Sequence, residues 1–282
     1  MTTLREHLAR YGFRDFDSSE FYRFWGGRQL GEDKAKTLDR LRKPLEKDDV
    51  RPDDVLRFYE FIADPEVAAV VHSMKTDAIR ASGEAVWERI KGRKKILDFG
   101  CNIGYLSTWY ARLGANQVTG VDISARSIEQ AKKFAASLGC NGVSFVQGDV
   151  RKIFQGAQFD AVVDTQTLYT APKQRQTLKH LYTLLHDDGI VVTIPPIRTM
   201  EKISAYLALL ALSGFYIHTL DFIVFSALGE ADAYPVIEAG KLPERHTVID
   251  VEAKFHAMQR AVAPGVLPPA TLHHPWRALL AA

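Results

Sequence analysis

Cysteine is nearly absent. In 282 residues only Cys101 and Cys140 occur, in unrelated local contexts and without the neighbours that a zinc site or a disulfide framework requires. That scarcity suits a reducing cytoplasm, and no metal is expected. An excess of one charge is missing too: 36 Lys and Arg against 34 Asp and Glu leave a formal charge of +2, too balanced for a protein that tracks nucleic-acid phosphates. Nucleic acid is therefore not an expected partner. Long apolar runs are lacking as well. The most apolar stretch, 203–217, is broken by Ser204, Ser213 and Gly214 and falls short of the roughly 20 residues that cross a bilayer; it reads as a core helix followed by a strand. The opening Met1-Thr-Thr-Leu-Arg-Glu-His-Leu-Ala-Arg10 places charges where a secretory leader needs an unbroken apolar stretch. Neither export nor a membrane partner is expected. No internal repeat or low-complexity tract is visible.

What is present is the composition of a folding chain, 46% hydrophobic and 25% charged. At about 150 residues per domain, the length gives one large domain with an appendage, or two small ones. From residue 94 onward short β-branched runs alternate with helical patterns, the sequence form of βαβ units feeding a parallel sheet. Strands are expected at 95–99, 117–122, 143–147, 159–164 and 190–194, with 215–225 and 234–238 as a closing antiparallel pair. Helical spacing covers 106–113, 127–138 with Ser124 as N-cap, 172–185 and 199–212. The first 90 residues show helical periodicity only: a start at 17–25 capped by Asp17 or Ser18, a second stretch at 53–62 and a third at 65–90. Between the first two, 31–51 mixes 7 basic and 6 acidic residues, which reads as a solvated surface. The expected fold is α/β, a Rossmann-like seven-stranded doubly wound sheet over 91–242. A helical, substrate-covering lid region (1–90) precedes it, and a tail (243–282) follows, with a helical pattern at 251–262 and a Pro-containing end at 264–275.

The first strand runs into Asp98-Phe-Gly-Cys-Asn-Ile-Gly104, a turn at the carboxyl edge of a parallel sheet. Gly100 and Gly104 lack the Cβ that would block a ligand or strain a positive φ, and the next helix offers unpaired amides to an anionic group. Asp122 ends the second strand 24 residues after Asp98, where a carboxylate can take both hydroxyls of a ribose. After the third strand, Asp149 can accept from an exocyclic amine such as that of adenine, while the amide of Val150 donates to a ring nitrogen. Taken singly, either aspartate reads equally well as a plain strand-end or turn residue; their order and spacing in one βαβαβ half favour binding.

Over residues 95–195 these motifs resemble the core of class I S-adenosylmethionine-dependent methyltransferases, whose first motif is similar to D-x-G-x-G-x-G. Here Asn102 replaces the middle glycine; Asn accepts left-handed conformations and can offer an amide to the amino-acid end of the cofactor. The resemblance implies S-adenosylmethionine held by Asp98, Gly100, Cys101, Asn102 and Gly104 in the turn, by Asp122 and Ile123 after the second strand, by Asp149 and Val150 after the third, and by Thr165 after the fourth. A dinucleotide fingerprint fits worse: aligning Gly100 with the first glycine of G-x-G-x-x-G puts Tyr105 at the third, where a phenol ring would hold helix and strand apart.

With such a cofactor the protein contributes alignment and a dry site, and aromatic walls suit a sulfonium. The N-terminal segments carry Tyr11, Phe13, Phe16, Phe21, Tyr22, Phe24 and Trp25. Part of this set is expected to fold over the carboxyl edge, with Tyr22 and Trp25 as the favoured substrate contacts and Gly26-Gly27 as a hinge. Tyr105, opening the helix after the turn, either faces the methionine moiety or packs. Gln166 and Tyr169 follow the fourth strand, where Gln166 orients an acceptor and Tyr169 donates to or deprotonates it; both also read as loop residues. Cys101 and Cys140 have no basic partner to activate a thiolate, and the histidines, among them His180, His186 and the His273-His274 pair, read as solvated or core residues. The Asn-Pro-Pro-Tyr type motif that in relatives marks planar amines is replaced by Asp164-Thr-Gln-Thr167.

The expected function is methyl transfer to an oxygen, nitrogen or carbon of a small-molecule or carrier-bound metabolite, in secondary metabolism, with a homodimer as an open assembly. One rival is attack at the cofactor's aminocarboxypropyl chain, by transfer or cyclisation, releasing methylthioadenosine. Another is a non-catalytic partner subunit that retains the fold.

Overall fold

The computed structural model describes residues 2–46, 51–115, 117–171, 173–228 and 230–262; Pro172 and the 264–275 end, singled out in the sequence, lie outside them. The elements run α1 (Leu4–Ala9), α2 (Ser19–Arg42), α3 (Pro52–Ile62), α4 (Pro65–Ser73), α5 (Thr76–Ile90), β1 (Lys95–Phe99), α6 (Tyr105–Arg112), β2 (Gln117–Asp122), α7 (Ala125–Ser137), β3 (Val143–Gln147) and α8 (Val150–Ile153). They continue with β4 (Phe159–Thr165), α9 (Gln174–Leu184), β5 (Leu185–Ile194), α10 (Met200–Ala211), β6 (Tyr216–Ala227), β7 (Glu230–Gly240) and α11 (Val251–Ala261). One seven-stranded sheet has the order β3-β2-β1-β4-β5-β7-β6. Its strands are parallel from β3 to β5 and antiparallel at β5/β7 and β7/β6. The expected α/β, Rossmann-like, doubly wound architecture is the observed one.

The strands are apolar almost throughout because both faces are covered. Ala161 and Val163 of β4 point into a core shared with Val86 and Ile90 of α5 and Leu106 and Trp109 of α6. Val162, between them, points to the opposite core with Leu178 and Leu181 of α9, Ile203 and Leu210 of α10, and Phe255 and Met258 of α11. The direction of connection switches between β1 and β4, and such a switch opens a ligand crevice at the carboxyl ends of the strands.

A third core joins α2, α3 and α4 through Tyr22, Leu30, Leu38, Phe58, Ile62, Val67 and Val71. Helix α1, which periodicity did not mark, is pinned to α6: His7 Nε2 donates to the Tyr105 carbonyl at 2.9 Å, and the Tyr11 hydroxyl lies 2.7 Å from Thr108 Oγ1. Ser18 caps α2, accepting from the Phe21 amide. The helix then runs through Gly26-Gly27 and on to Arg42, so the expected hinge is absent there; the break is at Gly31, with φ 68° and ψ 170°. Much of the stretch read as a solvated surface is therefore helical, supported by i,i+4 pairs Glu32–Lys36 and Asp39–Lys43. The single helix expected over 65–90 is two, α4 ending at Ser73 and α5 starting at Thr76. Among the described residues no helix is long and apolar enough to cross a membrane.

Candidate active site

β1 brings Asp98 to the carboxyl edge, and the amides of Gly100 and Cys101 both donate to the Val121 carbonyl, at 2.8 and 3.0 Å, tying the turn to β2. Gly100 has φ 77°, and a Cβ there would stand 2.0 Å from Thr167 Oγ1; Gly104 has φ 79°, and its Cβ would stand 2.6 Å from the Phe145 ring. Both glycines are thus demanded by the chain's own close packing as well as by backbone conformation. Asn102 adopts φ 51°, the left-handed region that Asn tolerates. Its side-chain oxygen accepts from the Ile103 amide at 2.7 Å and is used inside the turn.

Asp122 is buried, with Oδ2 accepting from the Asn102 amide and Oδ1 from the Ser124 amide, each at 2.9 Å. Each oxygen keeps a second lone pair, the capacity a pair of ribose hydroxyls requires. Burial pushes its pKa up to about 6, with the Glu60 carboxylate adding to the effect. Beneath it, Asp98 accepts from the Ser107 hydroxyl; burial, and then the charges of Asp122 and Asp164, push its pKa up to about 7. Ile123, just past β2, is exposed and offers an apolar surface.

Asp149 is less free than the sequence implied. It caps α8, and both its oxygens accept from the Arg151 guanidinium, which holds its carboxyl below the usual range. An adenine amine there has to share the carboxylate with Arg151. Val150 buries its side chain in the core beside Leu97 and Val121, and its amide opens α8. Cys101 is buried, and burial pushes its thiol pKa up, so it is no nucleophile.

At the end of β4, Thr165 Oγ1 is buried without a hydrogen-bond partner among the described residues. The loop beyond is organised by Asp164, which the sequence reading did not single out as a site residue. Its Oδ1 accepts from the Thr167 and Leu168 amides at 3.0 and 2.8 Å, and its Oδ2 from Thr193 Oγ1 at 2.6 Å. That loop sets Gln166 at φ 69°, with its amide donating to the Ile194 carbonyl at 3.1 Å. Tyr169 is half-buried against the α9 side of the core, and its carbonyl accepts from Gln174 Nε2 at 2.6 Å.

The N-terminal helices dock on this same edge. Lys75, between α4 and α5, places Nζ 3.4 Å from Gln166 Oε1. His72 lies beside the Asn102 side chain. Arg126 at the start of α7 reaches Asp64 at 3.0 Å, while its amide donates to Glu60 at 3.4 Å. His72 and Lys75 were missed because helical periodicity runs on through them; the polar group His72-Ser73 and Lys75 inside an apolar stretch was the available signal.

Of the residues expected to touch substrate, only Tyr105 stands close to the turn, its ring packed against Phe13 and His72 at centroid distances of 5.3 and 5.2 Å. Tyr22 is fully buried and its hydroxyl donates to the Val70 carbonyl at 3.0 Å; it holds α2 on α4 and is not open to a ligand. Trp25 packs on Phe16 and under Arg14, and faces a groove of about 510 Å³ that no residue of the turn lines. Phe21 and Phe24 point to solvent. No group of three potential metal ligands occurs among the described residues.

A methyltransferase-domain family model matches residues 90–240. A mitochondrial ubiquinone biosynthesis O-methyltransferase of Schizosaccharomyces pombe is 38% identical over 109 residues, covering 38% of this chain and 39% of that protein. A sterol 24-C-methyltransferase of Neurospora crassa is 30% identical over 102 residues, covering 36% of this chain and 27% of that protein. The matched region spans well under half of these relatives. Among solved structures, the cyclase SpnF superposes with a TM-score of 0.50 at 19% identity, over 56% of this chain and 80% of that one, a likeness of fold. The residues here fit the family's cofactor: the left-handed turn, the spare lone pairs of Asp122, the exposed Ile123 and the orphaned Thr165 hydroxyl all lie at the carboxyl ends of β1, β2 and β4. With that edge lying inside a domain match over more than half its length, the chain belongs to the class I S-adenosylmethionine-dependent methyltransferase family.

Proposed function

We propose that the chain transfers a methyl group from S-adenosylmethionine to an oxygen, nitrogen or carbon atom of a small-molecule or carrier-bound metabolite. The observation that carries this reading is the cover over the transfer edge: Lys75 rests on Gln166 and His72 on the turn, so an acceptor enters a site walled by the N-terminal helices and limited in size. A bound cofactor supplies an electrophilic methyl on a sulfonium. The chain's residues supply alignment and exclusion of water, the contributions an in-line displacement needs most. Asp122 holds the sugar, Asp149 and the Val150 amide hold the base, and the 98–104 turn holds the methionine end. Gln166, fixed by the loop built on Asp164, orients the acceptor, with Tyr169 on the same loop. The relatives named for ubiquinone biosynthesis and for a sterol support a small-molecule acceptor. So does the balanced charge, which gives no footprint for nucleic acid. A cytoplasmic setting in secondary metabolism belongs to the same reading.

Product analysis with S-adenosylmethionine and a panel of phenolic, amine and enol acceptors tests it. S-adenosylhomocysteine together with a methylated acceptor is the expected result. Methylthioadenosine would show attack on the aminocarboxypropyl chain instead, and calorimetry showing no cofactor binding would point to a non-catalytic subunit.

A further inference from the structure

Where α4 gives way to α5 the chain crosses the carboxyl edge of the sheet and leaves a histidine and a lysine side chain there, the imidazole kept neutral by burial. His72 is 3% exposed, and neither ring nitrogen has a hydrogen-bond partner among the described residues. Its ring is held between Phe13 and Tyr105, at 5.0 and 5.2 Å. Three residues on, the Lys75 ammonium meets Gln166 Oε1 at 3.4 Å, a long and weak hydrogen bond. No carboxylate pairs with it among the described residues, and burial pushes its pKa down. The acids below are otherwise engaged: Asp98 with Ser107, Asp122 with two main-chain amides, Asp164 with Thr193, Thr167 and Leu168. Lys75 is also the N-cap of α5, a 15-residue helix, whose first-turn amides add positive potential to the same spot.

An ammonium, an unpartnered imidazole and a helix N-terminus therefore converge on the crevice; no carboxylate pairs with the ammonium among the described residues, and Asp77, the acid of the helix's own first turn, is held by Arg80 at 2.7 Å. A buried charge is retained when something pairs with it. We infer that Lys75, with His72 beside it, is a carboxylate-binding site completed by a ligand's anionic oxygen. The inference rests on the crevice being the cofactor site. Two sources supply such a group: the carboxylate at the methionine end of the cofactor, since His72 adjoins Asn102 of the turn, and a carboxylate on the acceptor, since Gln166 marks the transfer edge.

Calorimetry on the full chain and on K75Q and K75R separates the cases. The probes are S-adenosylhomocysteine, methylthioadenosine as the same nucleoside without a carboxylate, and benzoate added to protein saturated with S-adenosylhomocysteine. If the cofactor is the source, K75Q binds S-adenosylhomocysteine at least tenfold more weakly and methylthioadenosine unchanged, and K75R recovers most of the loss. If the acceptor is the source, K75Q keeps its S-adenosylhomocysteine affinity and loses the benzoate binding that the wild type shows. Equal affinities of wild type and K75Q for all three probes would overturn the site. A wild type that binds neither nucleoside would instead overturn the cofactor reading itself. K75R, which keeps the charge, stands in if K75Q does not fold.

Discussion

The main-chain amide of Asn102 donates to Asp122 Oδ2 at 2.9 Å, so the carboxylate at the end of β2 shapes the turn at the end of β1. Its other oxygen holds the Ser124 amide, and Ser124 in turn caps α7 by accepting from the Ser127 amide at 2.9 Å. One side chain thereby fixes the 98–104 turn against the strand and helix beside it, and retains lone pairs with which a ligand's hydroxyls can bond.

Replacing Asp122 by Ala is expected to weaken S-adenosylhomocysteine binding by about 1 to 3 kcal/mol, the scale of lost charged hydrogen bonds, and to lower the melting temperature of the unliganded protein. Calorimetry and thermal melts check both. Unchanged affinity would remove the ribose assignment, and an unchanged melt would remove the clamp.

Asp98 gives a pH signature. Its pKa is raised from 3.8 to about 7, so the fold favours its protonated form. The stability it contributes is full below the unfolded value and is lost as pH rises through the folded one. Wild-type melting temperature minus that of Asp98→Asn should therefore fall between about pH 4 and about pH 7 and level off above. Taking the difference cancels His7 and His72, whose pKa values burial lowers to about 4 and about 3 and which act in the opposite sense. A flat difference would contradict the assignment.

Gly100→Ala places a Cβ against Thr167 at a positive φ. Overpacking and left-handed strain together cost about 2 to 4 kcal/mol, readable by urea denaturation. In a Thr167→Gly background the clash is gone and only the backbone part should remain. An equal cost in both backgrounds would mean that Thr167 is not what fills that space.

Tyr22→Phe removes the hydrogen bond to Val70 and should cost about 0.5 to 1.5 kcal/mol of stability, leaving S-adenosylhomocysteine affinity untouched. A loss of affinity with no loss of stability would restore Tyr22 to the ligand site.

The sheet was legible because each parallel strand is a short β-branched run ending in a turn residue, and Ser124 announced α7 by its capping position. Asp122 was legible for the same reason, standing where β2 meets the edge. Tyr22 and Trp25 were misplaced because periodicity shows which face a helix buries and not what it is buried against; here α4 covers that face. The glycine pair at 26–27 suggested a hinge, yet α2 tolerates both. A helical glycine costs roughly 1 kcal/mol, and Tyr22, Leu30 and Leu38 of the same helix bury enough apolar surface to offset it. The charged stretch beyond hid its helix behind balanced composition, although its i,i+4 pairs were readable. Lys75 and Asp164 act through partners distant in sequence, Gln166 and Thr193, which no local pattern encodes.

A crystal structure with S-adenosylhomocysteine shows at once whether this edge holds the cofactor. The nucleoside is expected at the carboxyl edge between β1 and β4, with ribose hydroxyls on Asp122 and the purine between Ile123 and Asp149. A nucleoside seated elsewhere, such as the groove beside Trp25, with Asp122 bound only to its two amides, would contradict that placement.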